Sequence, residues 1–299
     1  MKGLELSRQY YEAYGKDMID RFFPAYADRI AVGLVGEGSE CFGFDDEISH
    51  DHDFGPSFCL WLTAQDYADI GESLKEKYAQ LPGSFAGFAP RLVTPLAGDR
   101  VGVLEIDTFF TSLVGVPHAP EEEAQWLYLN EQMLAAATNG MIFSDPLGEF
   151  TRVRNGFLQY YPENIRLQKI ASAVALLSQA GQYNLPRSLK REAFDTAYLC
   201  VSEFIQSTIA LTYLLNQKYM PFYKWMLRGM DDFAILPQIK PMLQELMRTG
   251  GENPRCCDIV EDICAQLLSE LKRQKITDSD DDFLLNHVEH IAAKCTNAS

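Results

Sequence analysis

Apolar side chains recur at Tyr10, Tyr11, Tyr14, Met18, Ile19, Phe22 and Phe23, the spacing of a helix that lays one face on a sheet. A helix is therefore predicted from about Glu5 to Ala27. The apolar run within Arg29 to Val35 predicts a central strand, and Cys41 to Ser49, with Asp45 and Asp46, a loop. A second strand is predicted from Asp51 through Phe54 and on to Leu62, bulged or at an edge at Gly55-Pro56 because proline cannot donate to a ladder. Thr63 to Gln80 reads as a helix that Thr63 caps, with Asp66 three residues on and Tyr67, Ile70, Leu74 and Tyr78 along one face. Proline and glycine make Leu81 to Gly98 a long loop with one short strand at Arg91-Leu92-Val93. Val101 to Phe110, β-branched and aromatic, predicts a third strand on which Glu105 and Asp107 share a face.

Beyond Pro117-His118-Ala119-Pro120 the pattern becomes helical to the end, broken near Asp145-Pro146, Tyr161-Pro162, Asn184-Leu185-Pro186, Met220-Pro221 and Gly250-Gly251. The expected architecture is α+β: an N-terminal mixed-sheet domain with flanking helices over residues 1–118, then an all-α helical bundle over 119–299. The longest predicted helix runs from Ser188 to Gln217. Its middle is apolar on nearly all sides, which places it at the centre of the bundle; Glu203 there either pairs with an arginine of the bundle or has its pKa raised by apolar surroundings toward that of a useful base. Arg187 and Arg191 stand four apart at its start with Lys190 beside them. Cations are disfavoured at a helix N-terminus, so three of them there suggest a bound anion. Lys224 beside Trp225 either snorkels over an aromatic surface or reaches a phosphate.

Length and composition change this picture little. The chain has 299 residues, 47% of them hydrophobic, enough for two domains with real cores. No run of eighteen apolar residues occurs and the first residues are charged and amphipathic, so a soluble, cytoplasmic protein with no membrane partner is expected. The seven cysteines lack paired CxxC spacing and read as reduced thiols. A formal charge of −16 argues against long nucleic acid as a partner, although a local basic cluster can still hold a small anion.

The candidate chemistry lies between the first two predicted strands. The first runs into Gly36-Glu37-Gly38-Ser39, and eleven residues separate Ser39 from Asp51-His52-Asp53. On a strand Asp51 and Asp53 point to one side and His50 and His52 to the other, so histidines that face the core or support the ligands from behind are the better reading than metal ligands. Two carboxylates beside a turn of unpaired backbone N–H groups form a place for divalent cations and a triphosphate. Glu105 and Asp107, costly to bury unless partnered, add a third acid.

This order of parts resembles the polymerase-β-like nucleotidyltransferase superfamily. Gly36 to Asp46, His50 to Pro56, Gly181-Gln182-Tyr183-Asn184 and Tyr219 to Trp225 are further similar to a little-characterised bacterial group that carries a domain of unknown function, distantly related to the kanamycin and streptomycin nucleotidyltransferases. The resemblance implies that Gly38 and Ser39 hold the triphosphate of an NTP. It implies that Asp51 and Asp53 bind two Mg²⁺ ions, and that Asp107, with Glu105 as competitor, shares a metal or acts as base. Arg187, Arg191 and Lys224 are the phosphate contacts expected from a helical domain that binds the acceptor and closes a cleft. The implied reaction moves a nucleoside monophosphate to a hydroxyl of a small acceptor and releases pyrophosphate. The alternatives are a protein or tRNA acceptor, or a catalytically silent nucleotide-binding module.

Overall fold

A computed structural model describes residues 1–50, 54–91 and 100–295. The fold is mixed α+β and separates into two compact units, one of residues 1–121 and 128–159, the other of 122–127 and 160–299.

The first unit begins with α1 (Gly3–Tyr10) and α2 (Lys16–Phe22), joined through a π-helical turn at Tyr11–Gly15. β1 (Ala31–Leu34), β2 (Cys59–Leu62), α3 (Ala64–Tyr78), β3 (Gly102–Glu105), α4 (Ile106–Val114), α5 (Glu131–Thr138), β4 (Met141–Ser144) and α6 (Glu149–Leu158) follow. The strands form one mixed sheet in the order β3-β2-β1-β4, with β2 and β3 parallel and the other pairs antiparallel. β1 and β2 are buried along their whole length because helices cover both faces. Tyr10, Met18, Ile19, Ile70 and Leu74 from α1, α2 and α3 pack against Phe58, Leu60 and Leu62. Alternation sends Trp61 to the opposite face, where it stacks on Phe150 of α6 at 3.9 Å between ring centroids and meets Phe109 of α4 edge-on.

Three expectations need correction here. The strand expected over Val101 to Phe110 stops at Glu105, whose carboxylate accepts from the backbone N–H groups of Asp107 and Thr108 and so caps α4. Acids at a helix start satisfy its orphan donors and complement its dipole, and this local preference outweighs the β-propensity of the run that follows. Residues 119–299 are not all helical, since Met141–Ser144 pairs along the edge of β1, and 128–159 pack with the first unit. The second strand is confined to Cys59–Leu62; of its expected earlier part, Asp51, His52 and Asp53 lie outside the described residues. The helix after Thr63 forms as expected, with the Thr63 hydroxyl accepting from Asp66 N–H.

The second unit is helical: α7 (Glu163–Leu177), a π-helical turn at Ser178–Asn184, α8 (Leu185–Lys190), α9 (Phe194–Leu215), α10 (Ile239–Thr249), α11 (Arg255–Arg273) and α12 (Val288–Cys295). Arg166, 6% exposed, ties three of these together through a bidentate pair with Glu163 and bonds to the Leu214 carbonyl and the Gln274 side chain. Among the described residues one helix, α9, is long and apolar enough to cross a membrane. With 61% of its apolar window buried inside the fold, it is built as a core helix. All seven cysteines are free, as their spacing suggested.

Candidate functional site

The turn after β1 is held in place from beneath and at both ends. Beneath it, the Glu40 carboxylate, 4% exposed, lies 3.2 Å from an Arg91 guanidinium nitrogen that also donates to Ser57 Oγ at 3.2 Å. At the near end, Asn139 bonds both backbone groups of Gly36: its Oδ1 accepts from Gly36 N–H at 3.1 Å and its Nδ2 donates to Gly36 O at 2.7 Å. At the far end, Gly140 N–H donates to the Cys41 carbonyl at 2.9 Å. Both staples come from the corner between α5 and β4. Only glycine fits at 140, where φ is +70° and a Cβ would stand 2.0 Å from the Leu34 carbonyl oxygen. The corner is in turn fixed by Arg154 of α6, which donates to the carbonyls of Thr138 and Asn139 at 2.7 and 2.8 Å, a cation on the C-terminus of α5.

Between these staples stand Gly38 and Ser39. The turn is closed by bonds from Cys41 N–H to Gly38 O and from Phe44 N–H to Ser39 O, which use the carbonyls. Among the described residues none accepts from the backbone N–H of Gly38 or Ser39. Gly38 must lack a side chain because a Cβ would meet the Glu40 carboxylate at 2.4 Å. Arg100, just ahead of β3, brings a positive charge to the turn, its Nε 3.7 Å from Glu37. Two thiols lie nearby: burial raises Cys41 well above its ordinary range and pushes Cys59 up to about 12. Neither offers a thiolate at neutral pH. This arrangement can accept an oxyanion on paired backbone N–H groups next to a cation.

The acids of the third strand fall elsewhere. The β2–β3 register sets Cys59 beside Gly102 and Leu62 beside Glu105, while antiparallel pairing sets Gly33 beside Cys59. Glu105 therefore stands at the end of β2 away from the turn, about 10 Å along three strand rises. Its carboxylate caps α4, and Asp107, on the first turn of that helix, lies half-exposed 3.4 Å from His118 Nε2. The two acids share no strand face, and the structure brings neither to the turn. Asp51 and Asp53, the other half of the expected site, lie outside the described residues, as do His52 and the His50 side chain. Among the described residues no group of three or more His, Cys, Asp or Glu side chains is placed to hold a metal ion.

In the second unit the expected long helix is broken. Arg187 and Lys190 occupy the last turn of the short α8, and Arg191 is its C-cap, before a residue with φ of +56°, Glu192, turns the chain into α9. At a helix C-terminus cations are favoured, so the inference of a bound anion from their position loses its basis. All three are exposed, and Arg187 lies over the Tyr183 ring at 3.7 Å. Lys224, also exposed, sits over Trp225 at 4.4 Å, the snorkelling arrangement. Glu203 is exposed rather than set among apolar groups; it accepts from Ser207 Oγ and lines an open cavity of about 410 Å³ with Leu176, Asn184 and Leu199.

Sequence reasoning missed Glu37, Glu40, Arg91, Arg100, Asn139 and Arg154. Their partners lie tens to a hundred residues away, and only Asn139-Gly140, a turn dipeptide, carries a local signal. A family model, the domain of unknown function DUF4037, matches residues 126–226, a stretch that includes Asn139 and Arg154 but not the turn they support. No curated protein and no solved structure matches the chain.

Proposed function

We propose that the chain binds the phosphates of a nucleoside triphosphate at the turn 36–41 and, with Mg²⁺, transfers the nucleoside monophosphate to a hydroxyl of a small acceptor. The acceptor oxygen attacks the α-phosphorus, the bond to the bridging oxygen breaks, and pyrophosphate leaves with loss of the hydroxyl proton. One observation carries the reading: Gly38 and Ser39 present N–H groups without acceptors among the described residues, on a turn pinned at both ends and flanked by Arg100. Such a turn is pre-organised for anions, since its donors need no rearrangement when a phosphate arrives.

Behind this stands the polymerase-β-like arrangement that the sequence resembles, with the turn after the first strand and the Asp51-x-Asp53 pair leading into the second. Asp51 and Asp53 would hold Mg²⁺, an ion that takes oxygen donors of this kind. Bound there, it supplies positive charge for the attacking and leaving oxygens. Glu105 and Asp107 form no part of the proposed metal site, because the strand register sets them at the other end of β2. Arg187, Arg191 and Lys224 are likewise left out, given their exposed positions on the second unit.

The test is incubation of the purified chain with Mg²⁺ and each of the four NTPs labelled at the α-phosphate, with cell extract as the source of acceptor. Transfer of label to a small molecule supports the reading as stated. Label on protein or tRNA moves the acceptor class. Binding without transfer identifies a catalytically silent module, and no binding removes the reading altogether.

A further inference from the structure

The chain devotes an unusual amount of structure to six residues of turn. Gly36 is gripped at both its N–H and its C=O by one side chain 103 residues away, and Cys41 is gripped by the next residue along, so a single corner fixes the two ends of the turn. The corner has a support of its own. Arg154 places two N–H donors on its carbonyls, and among the described residues no carboxylate pairs with that guanidinium. Its Nε is buried with no partner, and burial lowers its pKa. A lone arginine kept half out of water for two backbone carbonyls is a poor device for stability, since desolvating an unpaired cation is costly. It is a good device for fixing a corner to within a fraction of an ångström, which is what a phosphate-binding turn requires.

We propose that Asn139 and Arg154 are positioning residues for phosphate binding: Arg154 locks the α5–β4 corner, and Asn139 transmits that lock to Gly36, so that the Gly38 and Ser39 N–H groups converge on one anion. The inference rests on the nucleotide-binding reading above and names residues of the same site. Neither side chain touches the phosphate. Asn139 acts through Gly36, and Arg154 acts through Asn139. The device adds no group that must move when the ligand binds.

The experiment uses the full chain, with inorganic triphosphate plus Mg²⁺ as a probe that lacks base and sugar, and with the NTPs beside it. Two measurements are made on wild type, Asn139→Ala, Asn139→Asp, Arg154→Ala and Arg154→Lys: affinity by titration calorimetry, and amide hydrogen exchange of the peptide covering 36–41 without ligand. Asn139→Asp has the same size and keeps the acceptor for Gly36 N–H, but it cannot donate to Gly36 O and it brings a negative charge. It is expected to lower triphosphate affinity at least tenfold while the urea midpoint stays near wild type. Asn139→Ala should cost about five- to tenfold in affinity, the equivalent of one or two neutral hydrogen bonds, and should speed exchange across the turn. Arg154→Lys, which can still reach two carbonyls, should recover most of what Arg154→Ala loses. Variants that bind triphosphate as tightly as wild type, or a turn whose exchange does not change, would overturn the positioning role alone. A wild-type chain that binds neither triphosphate nor any NTP would overturn the nucleotide reading and the positioning role with it.

Discussion

Replacing Gly38 with alanine tests whether the turn is built around a buried ion pair. The added Cβ would stand 2.4 to 2.5 Å from the three atoms of the Glu40 carboxylate group, so that group must move. It has little room to do so, because the Glu40 and Arg91 side chains are only 6% and 8% exposed. Displacing it from Arg91 would leave a buried guanidinium with Ser57 Oγ as its remaining hydrogen-bond partner among the described residues. Removing one member of a buried pair costs about 3–5 kcal/mol, and overpacking that merely displaces it costs about 1–3 kcal/mol. Gly38→Ala is therefore expected to destabilise by about 2 kcal/mol, and Glu40→Ala by about 3–5 kcal/mol. The double variant should cost no more than Glu40→Ala alone, since the clash has gone, which makes the coupling energy about −2 kcal/mol. Urea unfolding followed by circular dichroism and by tryptophan fluorescence, with midpoints and slopes compared across the cycle, supplies the numbers. If Gly38→Ala costs the same with and without Glu40, the carboxylate does not set the shape of the turn.

Further outcomes follow from the same packing. Gly140→Ala combines a left-handed backbone with a 2.0 Å approach to the Leu34 carbonyl and should cost about 3 kcal/mol or more in stability, read by thermal melting. Burial holds the Tyr10 phenol and the Cys59 and Cys256 thiols up to about 12. Each therefore adds stability that is full below its unfolded value, about 8.5 for a thiol and 10 for tyrosine, and is lost as pH rises toward 12; a melting temperature flat from pH 8.5 to 11.5 would contradict this. His287, fully buried, has Nε2 against the Asp281 carbonyl at 2.6 Å and Nδ1 against Thr277 Oγ1 at 2.8 Å. A carbonyl can only accept, so Nε2 carries a proton, and nitrogen-15 chemical shifts should show that nitrogen protonated; His287→Phe should cost about 1–3 kcal/mol by stranding two partners. Arg100→Ala should weaken triphosphate binding by about tenfold with little change in stability, since the residue is a third exposed.

The readable parts of this chain were those written in local chemistry. Thr63 with Asp66 marked the start of α3, and the apolar run into Gly36-Glu37-Gly38-Ser39 marked both β1 and its turn, because caps and turns are made by neighbours in sequence. The strand expected over Val101 to Phe110 failed for a local reason as well. Glu105, Asp107 and Thr108 form a helix start, and helix capping outweighed a β-branched and aromatic composition. The basic cluster at Arg187 to Arg191 was misplaced by one helix boundary: a C-terminus taken for an N-terminus reverses the sign of the dipole argument. What supports the turn was not legible at all. Glu40 finds Arg91 across 51 residues and Gly36 finds Asn139 across 103, and such pairs leave no pattern along the chain.

The proposed site joins the turn 36–41 and the Asp51-x-Asp53 pair in binding a metal–triphosphate. Its most direct test is calorimetric titration of each NTP into the full chain with and without Mg²⁺, repeated on Asp51→Ala/Asp53→Ala. The expected result is saturable, Mg²⁺-dependent binding of at least one NTP to the wild-type chain, and loss of the Mg²⁺-dependent part in the double variant with the melting temperature unchanged. Binding that survives the double variant undiminished, or no binding by the wild-type chain, contradicts it.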